Sequence, residues 1–412
     1  MLTEEIGWIV SPDTSEISKD QQTPKSIWSR SFIILFFANL ALNMGLNMSN
    51  SLISMYADHL GATPAVIGMV VSSFGISAIL FRMIAAPIMD TYNRKNLVIL
   101  AALMMSAAFF GFSISTNIPM LVCFRLLQGC SMVFGNACCL TIVADMLPKE
   151  KYNSGIGFFS LAQVVCTAIG PSLGLELFNR TDFHITYTVA ACFMLVSAFL
   201  ISFVRFRFVR TKKLKLSVNT IIAKEALLPA VLNFIMILIA AATQAFLFLF
   251  AIGQGVSGNI GLYFTVSAVT MLVSRPLIGK LTDKFGLLRI AVPALFFSVI
   301  NLVIISFSTT LPGFLTAAFV SAFGQGAFSP AIQALTMKSV PSERRGAASS
   351  TNFIAQDIAG MVGPVLAGQL IEAFGYVSMW RIVTIPLIIG VAIMVGCKGR
   401  IERIEEEFAS GA

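Results

Sequence analysis

The sequence predicts an all-α integral membrane protein: twelve transmembrane helices in two pseudo-symmetric six-helix bundles. Three observations predict it. Of 412 residues, 57% are apolar and 12% charged, with a mean hydropathy of +0.85, where soluble domains carry about 25% charged residues. Twelve apolar runs are each long enough to cross about 30 Å of hydrocarbon at 1.5 Å rise. The first half also matches the second at a fixed offset of 193 residues.

The runs lie near 31–57, 65–89, 97–116, 119–146, 154–178 and 185–206, then 225–251, 258–282, 288–308, 312–338, 346–373 and 376–397. Lipid cannot satisfy backbone groups, so each run is expected to be a helix. The runs are continuously apolar, which excludes alternating β-barrel strands. Residues 1–30 carry Glu4, Glu5, Asp13, Glu16 and Asp20 and no long apolar run. They read as a cytoplasmic tail and not as a cleavable signal, which opens with a basic region and a short apolar core. Counting the residues before span 1 with the loops after spans 2, 4, 6, 8, 10 and 12 and the span ends beside them, Arg82 just inside span 2 included, 25 of the 28 Lys and Arg fall on one side. The positive-inside rule makes that side cytoplasmic, with both termini there, in a cell membrane. The net charge of +8 is thus a topology signal, and nucleic acid is excluded as a partner.

The seven cysteines lie in or at the end of apolar runs with no C-x-x-C, so they read as small hydrophobes. His59 and His184 are the two histidines, too few for a histidine metal cluster. No cofactor is expected. No Walker loop is present, which argues against ATP-driven work.

The offset of 193 places Gly68 on Gly261, Arg82 on Arg275, Asp90 on Asp283, Pro119 on Pro312, Pro148 on Pro341, Gln163 on Gln356, and Gly170-Pro171 on Gly363-Pro364. Two six-span halves that start on the same side are parallel repeats, an arrangement of secondary transporters. The domains follow: a tail at 1–30, bundles at 31–206 and 225–397, a basic linker at 207–224, and a cytoplasmic tail at 398–412.

Motifs add to this. The loop after span 2 reads Asp90-Thr91-Tyr92-Asn93-Arg94-Lys95, and that after span 8 reads Gly279-Lys280-Leu281-Thr282-Asp283-Lys284-Phe285-Gly286. Span 4 holds Arg125-Leu126-Leu127-Gln128-Gly129, and span 5 holds Gly170-Pro171-Ser172-Leu173-Gly174. Over roughly 30–400 these resemble the major facilitator superfamily: its G-x-L-x-D-R-x-G-R-[KR] loop, its R-x-x-Q-G, and the G-P-x-x-G of its antiporter branch. The first loop copy departs from the family at both glycines and the first Arg. The resemblance implies alternating access. It assigns gating to Asp90, Arg94, Asp145, Asp283 and Lys284, where an Asp at a helix end meets the N-terminal dipole of a helix in the other half. A solvated charged turn is the bland alternative.

Glycine and proline at Gly170, Pro171, Gly174, Gly363 and Pro364 suit helix kinks and close helix approach. Arg125 lies about 9 Å inside the outer end at helical rise, where a cation costs about 2.5–3.5 kcal/mol. It either faces the cavity or snorkels outward. Asp357 lies about 16 Å from the cytoplasmic end, the most central carboxylate. It reads either as a proton carrier or as a gate or packing acid bonded to neighbouring Ser, Asn or Gln. Asn39, Asn43 and Asn47 repeat at i, i+4 and i+8, one helix face. Where many drug exporters of the family carry an acid in span 1, this chain has these amides. The family places spans 1, 4, 7 and 10 around the cavity, which adds Gln128, Asn136, Gln244, Gln325 and Gln333, with Phe246, Phe248, Phe250 and Phe328 as apolar walls. Amides suit a polar or amphipathic ligand; interhelical hydrogen bonding is their other reading.

The expected function is proton-coupled efflux of a small organic or drug-like molecule by a chain that acts as a monomer in the lipid bilayer and is not an enzyme. Proton-coupled uptake of a polar metabolite is the second reading, and a non-transporting membrane sensor the third.

Overall fold

Hydrocarbon offers backbone groups no water, so each apolar run closes its own hydrogen bonds as a helix. The computed structural model describes residues 28–147, 152–204, 223–341 and 344–410. The first half comprises α1 (Arg30–His59), α2 (Pro64–Thr91), α3 (Arg94–Ser113), α4 (Ile118–Met146), α5 (Tyr152–Arg180) and α6 (Phe183–Ser202). The second comprises α7 (Leu227–Gly253), α8 (Leu262–Phe285), α9 (Leu287–Phe307), α10 (Leu311–Lys338), α11 (Arg345–Ile382), α12 (Thr384–Gly396) and α13 (Lys398–Ser410).

Helix starts carry the expected chemistry. Ser29, Asn93, Asn117 and Asp182 accept hydrogen bonds from the first-turn amides of α1, α3, α4 and α6, satisfying donors that a helix leaves open. The repeat partners Pro119 and Pro312 both sit in a first turn, where a missing N–H costs nothing. Gly375 adopts φ 79 and ψ 167 inside α11. That left-handed φ breaks the helix between the eleventh and twelfth spans, the second of which continues through α12.

The halves pack alike. α1 lies on α5, α3 on α4 and α6, and α2 on α4; in the second half α7 lies on α11, α9 on α10 and α12, and α8 on α10. Equivalent glycines make the equivalent approach. A Cβ on Gly170 would sit 2.7 Å from Asn47 Cβ, and one on Gly363 would sit 2.4 Å from the Leu238 carbonyl oxygen. Proline remains inside both helices, as Pro171 and Pro364.

The two ends of the described residues, Trp28 and Ser410, lie at one end of the bundle, the termini face. Two seams join the halves, α2 with α11 and α5 with α8. Toward the opposite, far face they are tightly closed. A Cβ on Gly68 would sit 2.3 Å from the Pro364 carbonyl oxygen, and one on Gly368 2.3 Å from that of Pro64.

Two expectations change. Phe246, Phe248, Phe250 and Phe328 are at most 2% exposed and form the second half's core, because α7 is packed on most of its circumference. The segment 398–412 is helical through Ser410: Ile401 is buried, and Glu405 lies 3.7 Å from Lys338. Of the linker 207–224, all but its last two residues lie outside the described residues, as do 1–27 of the N-terminal segment.

Candidate functional site

Between the halves lies a cavity of about 290 Å³ whose wall includes Asn50, Phe74, Arg125, Gln244, Gln356 and Asp357. α1, α2 and α4 contribute from one half, α7 and α11 from the other.

Arg125 is 3% exposed, so its charge has to be met by protein. Its Nη1 donates to Asn50 Oδ1 at 2.7 Å and Gln128 Oε1 at 2.6 Å, and Nη2 donates to the Val71 carbonyl at 3.4 Å. Gln128 is fully buried and returns Nε2 to Asn50 Oδ1 at 3.1 Å. The guanidinium also lies 5.1 Å over the Phe74 ring, an attraction to the ring quadrupole. Gly129 explains how α4 gets close enough. A Cβ there would sit 2.1 Å from Ser77 Oγ and 2.3 Å from the Phe74 carbonyl oxygen of α2. The three residues of the span-4 motif thus work together: Arg125 brings the charge, Gln128 holds it, and Gly129 admits the neighbouring helix. Every protein group that Arg125 touches is neutral among the described residues, leaving its charge uncompensated at the cavity wall.

Asp357 meets a partner that the sequence reading did not assign. Arg82 Nε lies 2.6 Å from Asp357 Oδ2, and Arg82 Nη2 donates to Oδ1 at 3.1 Å. One hydrogen bond, Nη2 to Oδ1, and the close Nε–Oδ2 ion contact join α2 to α11, a charge-assisted contact between the halves. The acid is 19% exposed and the arginine 43%, so water still reaches both. Arg82, read from sequence as a topology mark, is an intramembrane residue, and neighbouring Ser, Asn or Gln do not hold Asp357. A signal existed. Arg82 lies ten residues before the Tyr92 cap of α2, about 15 Å into the span, and so at a depth that demands a partner.

The span-1 stripe turns elsewhere. Asn39 Nδ2 reaches the Phe159 carbonyl of α5 at 3.5 Å, Asn43 Nδ2 donates to Asn39 O and Oδ1 at 2.9 Å, and Asn47 Nδ2 donates to Asn43 O at 2.9 Å. These amides bond along α1 and sit at its contact with α5, while Asn50, one turn on, takes the cavity position. Gln244 lines the cavity with Arg125. Gln325 lines a second cavity of about 370 Å³ with Gln163, Thr167 and Arg275, between α5 and α8. Gln333 is exposed toward the termini face of α10 and lines neither. Of the gating candidates, Arg94 begins α3 and is half-buried, and Lys284 is exposed with Nζ 5.3 Å over the Phe285 ring. The side chains of Asp90, Asn136, Asp145 and Asp283 lie outside the described residues.

Every described hydrogen bond and ion pair between the halves lies at the level of Arg82 or farther toward the far face. Thr63 Oγ1 and Ala65 N both donate to Glu372 Oε2 at 3.1 Å, and Asn259 Nδ2 donates to the Ser172 carbonyl at 2.9 Å. Ser72 Oγ donates to the Met361 carbonyl and Thr265 Oγ1 to the Ala168 carbonyl.

Two parallel six-helix repeats, a polar intramembrane cavity between them and seams closed on one face define a transporter class built for rocking. Residues 35–258 and 230–409 match the Major Facilitator Superfamily, and the chain belongs to it. It is 26% identical over 365 residues to the multi-drug resistance efflux pump PmrA of Streptococcus pneumoniae, covering 85% of this chain and 91% of that protein. To the multidrug resistance protein MdtG of Salmonella schwarzengrund it is 25% identical over 373 residues, covering 85% and 90%. Among solved structures, a peptide transporter POT in complex with sulfate superimposes with a TM-score of 0.79 at 12% identity, covering 91% of this chain and 95% of that one. The nucleoside transporter NupG does so with a TM-score of 0.75 at 12% identity, covering 89% and 99%. At these identities the structures share the fold.

Proposed function

We propose that the chain exports small organic molecules across the cytoplasmic membrane in exchange for protons, as a monomer, with both termini on the cytoplasmic side. The multidrug efflux names of its relatives support the cargo class and direction, and the bias of Lys and Arg supports the orientation. The observation that carries the coupling is the Arg82–Asp357 ion pair, which closes one seam beside a cavity whose wall holds Arg125.

In the loading state Asp357 is ionised, Arg82 is bound, and the far face is shut. Cargo enters from the termini face and engages the Arg125, Asn50 and Gln244 wall. Opening of the far face separates Arg82 from Asp357, and the carboxylate, having lost its counter-ion, takes a proton from outside on one Oδ. The neutral acid no longer holds Arg82 tightly, so the empty carrier returns without the pair. Release of the proton to the cytoplasm restores it. One proton therefore moves inward for each conformational return.

In proteoliposomes, Asp357→Asn is expected to abolish accumulation driven by a pH gradient and to retain exchange of labelled for unlabelled substrate. An Asp357→Asn protein that still concentrates substrate against its gradient would overturn the assignment.

A further inference from the structure

The two seams follow one register. Ser72 donates to the Met361 carbonyl across α2–α11, and Thr265 donates to the Ala168 carbonyl across α8–α5; both donor and acceptor move by the offset of 193. In that register Arg275 is the counterpart of Arg82, and Val164 is the counterpart of Asp357. The arginine is retained and its carboxylate is not.

A cavity of about 370 Å³ stands at that place, lined by Val164 and Arg275 together with Ser160, Gln163, Thr167 and Gln325. No acid lines it, and Arg275 has no carboxylate partner among the described residues. Arg275 lies ten residues before Phe285, the last residue of α8, about 15 Å into the span. An arginine at that depth costs about 2.5–3.5 kcal/mol on insertion scales unless it is paired or hydrated. Phe264, Ala268, Met271 and Leu272 give the cavity an apolar wall, and Leu161, Val165, Leu272, Val273 and Leu277 on the same two helices are exposed apolar side chains.

We infer that this bay is a binding site for an anionic amphiphile: its carboxylate or phosphate takes, against Arg275, the place that Asp357 takes against Arg82. Gln163, Thr167 and Gln325 supply donors for the remaining lone pairs of the oxyanion. The apolar body lies along α5 and α8. The α2–α11 seam serves as an internal template, showing how an arginine in this register grips a carboxylate. Binding, and not export, is what the inference concerns, so it stands or falls apart from the transport reading.

The test uses the full chain in nanodiscs of pure phosphatidylcholine, titrated with dodecanoate and with neutral dodecanamide, and reads the unfolding temperature. Dodecanoate is expected to raise it in a saturable manner, as a ligand of the folded state does, and the amide to raise it far less. Arg275→Gln is expected to weaken dodecanoate binding about tenfold or more, the scale of a lost charged hydrogen bond, and Arg275→Lys to retain part of it. Val164→Asp places the missing acid inside the protein and is expected to abolish the dodecanoate shift. Adding phosphatidylglycerol separates the sources. If lipid headgroups fill the bay, that lipid stabilises wild type but not Arg275→Gln and competes with dodecanoate; if free carboxylates fill it, dodecanoate binding is unchanged. Equal shifts for dodecanoate and dodecanamide, or an undiminished dodecanoate shift in Arg275→Gln, would refute the site.

Discussion

The α2–α11 and α5–α8 seams are equivalent in the repeat but carry different side chains. Both bring a hydroxyl to a carbonyl at matching positions, and both bring a glycine, Gly68 or Gly261, against the backbone of the opposing helix. Among the described residues only the first adds an ion pair, between Arg82 and Asp357. An internal anion answers to pH, while a vacant arginine answers to whatever anion arrives. One seam is therefore suited to coupling and the other to ligand, although the backbone beneath them is the same.

The largest effect is expected where that shared backbone is disturbed. A Cβ on Gly68 would meet the Pro364 carbonyl oxygen at 2.3 Å, and one on Gly261 the Ser172 Cα at 2.6 Å. In each case the obstacle is backbone, which cannot swing aside, so the helices must part. Overpacking of this kind costs about 1–3 kcal/mol, all of it in the far-face-closed state. Gly68→Ala and Gly261→Ala should each shift the population toward the far-face-open form. The shift is read as faster labelling of a cysteine placed at Val71, on the cavity wall, by a membrane-impermeant thiol reagent added on the far side. Equal labelling of both variants and wild type would mean that the seams are looser than their backbones indicate.

The next effect separates the seams. Removing Asp357 leaves Arg82 unpaired at mid-span. Because the arginine is 43% exposed, water offsets part of the loss, and a cost of about 1–2 kcal/mol follows, below that of a fully buried pair. Arg82→Gln with Asp357→Asn should be less unstable than the two single losses summed. The swap Arg82→Asp with Asp357→Arg should recover thermal stability. Additivity in this cycle would show that the two groups do not depend on each other. The same cycle on Arg275 and Val164 has no internal pair to lose, and Arg275→Gln alone should leave ligand-free stability nearly unchanged.

Much of this architecture was legible from sequence because its causes are periodic or local. Span length follows from bilayer thickness, the fold follows from the offset of 193 residues, and the span-4 motif places Arg125, Gln128 and Gly129 on adjoining turns. The Arg82–Asp357 pair was not legible. Its members are 275 residues apart, and a single sequence does not say which faces of two helices meet. The amides show the same limit. Asn39, Asn43 and Asn47 share a face by spacing, but the neighbour that face meets is α5, and the cavity is left to Asn50. Gln325 and Gln333 also share α10, yet Gln325 lines the second cavity while Gln333 is exposed and lines neither of the two described.

The smallest effect tests how each seam closes its outer end. Thr63 precedes α2 without a side-chain cap of its own. Instead Glu372 of α11 accepts from Thr63 Oγ1 and Ala65 N, both at 3.1 Å, so a carboxylate of one half caps a helix of the other and meets its positive dipole end. In the α5–α8 seam Asn259 does this locally: its Oδ1 accepts from Gly261 N, and its Nδ2 bridges to the Ser172 carbonyl, both at 2.9 Å. A charge at a helix N-terminus is worth about 0.3–1 kcal/mol when exposed and is screened by salt. Glu372→Gln should therefore raise Val71→Cys labelling about two- to fivefold at low salt, and less as salt rises. Asn259→Ala removes the bridge to the Ser172 carbonyl without adding or removing charge, so its effect should not fade with salt in that manner. If the two variants respond to salt alike, the outer ends of the seams are closed by one mechanism, and the difference between the seams begins only at Arg82.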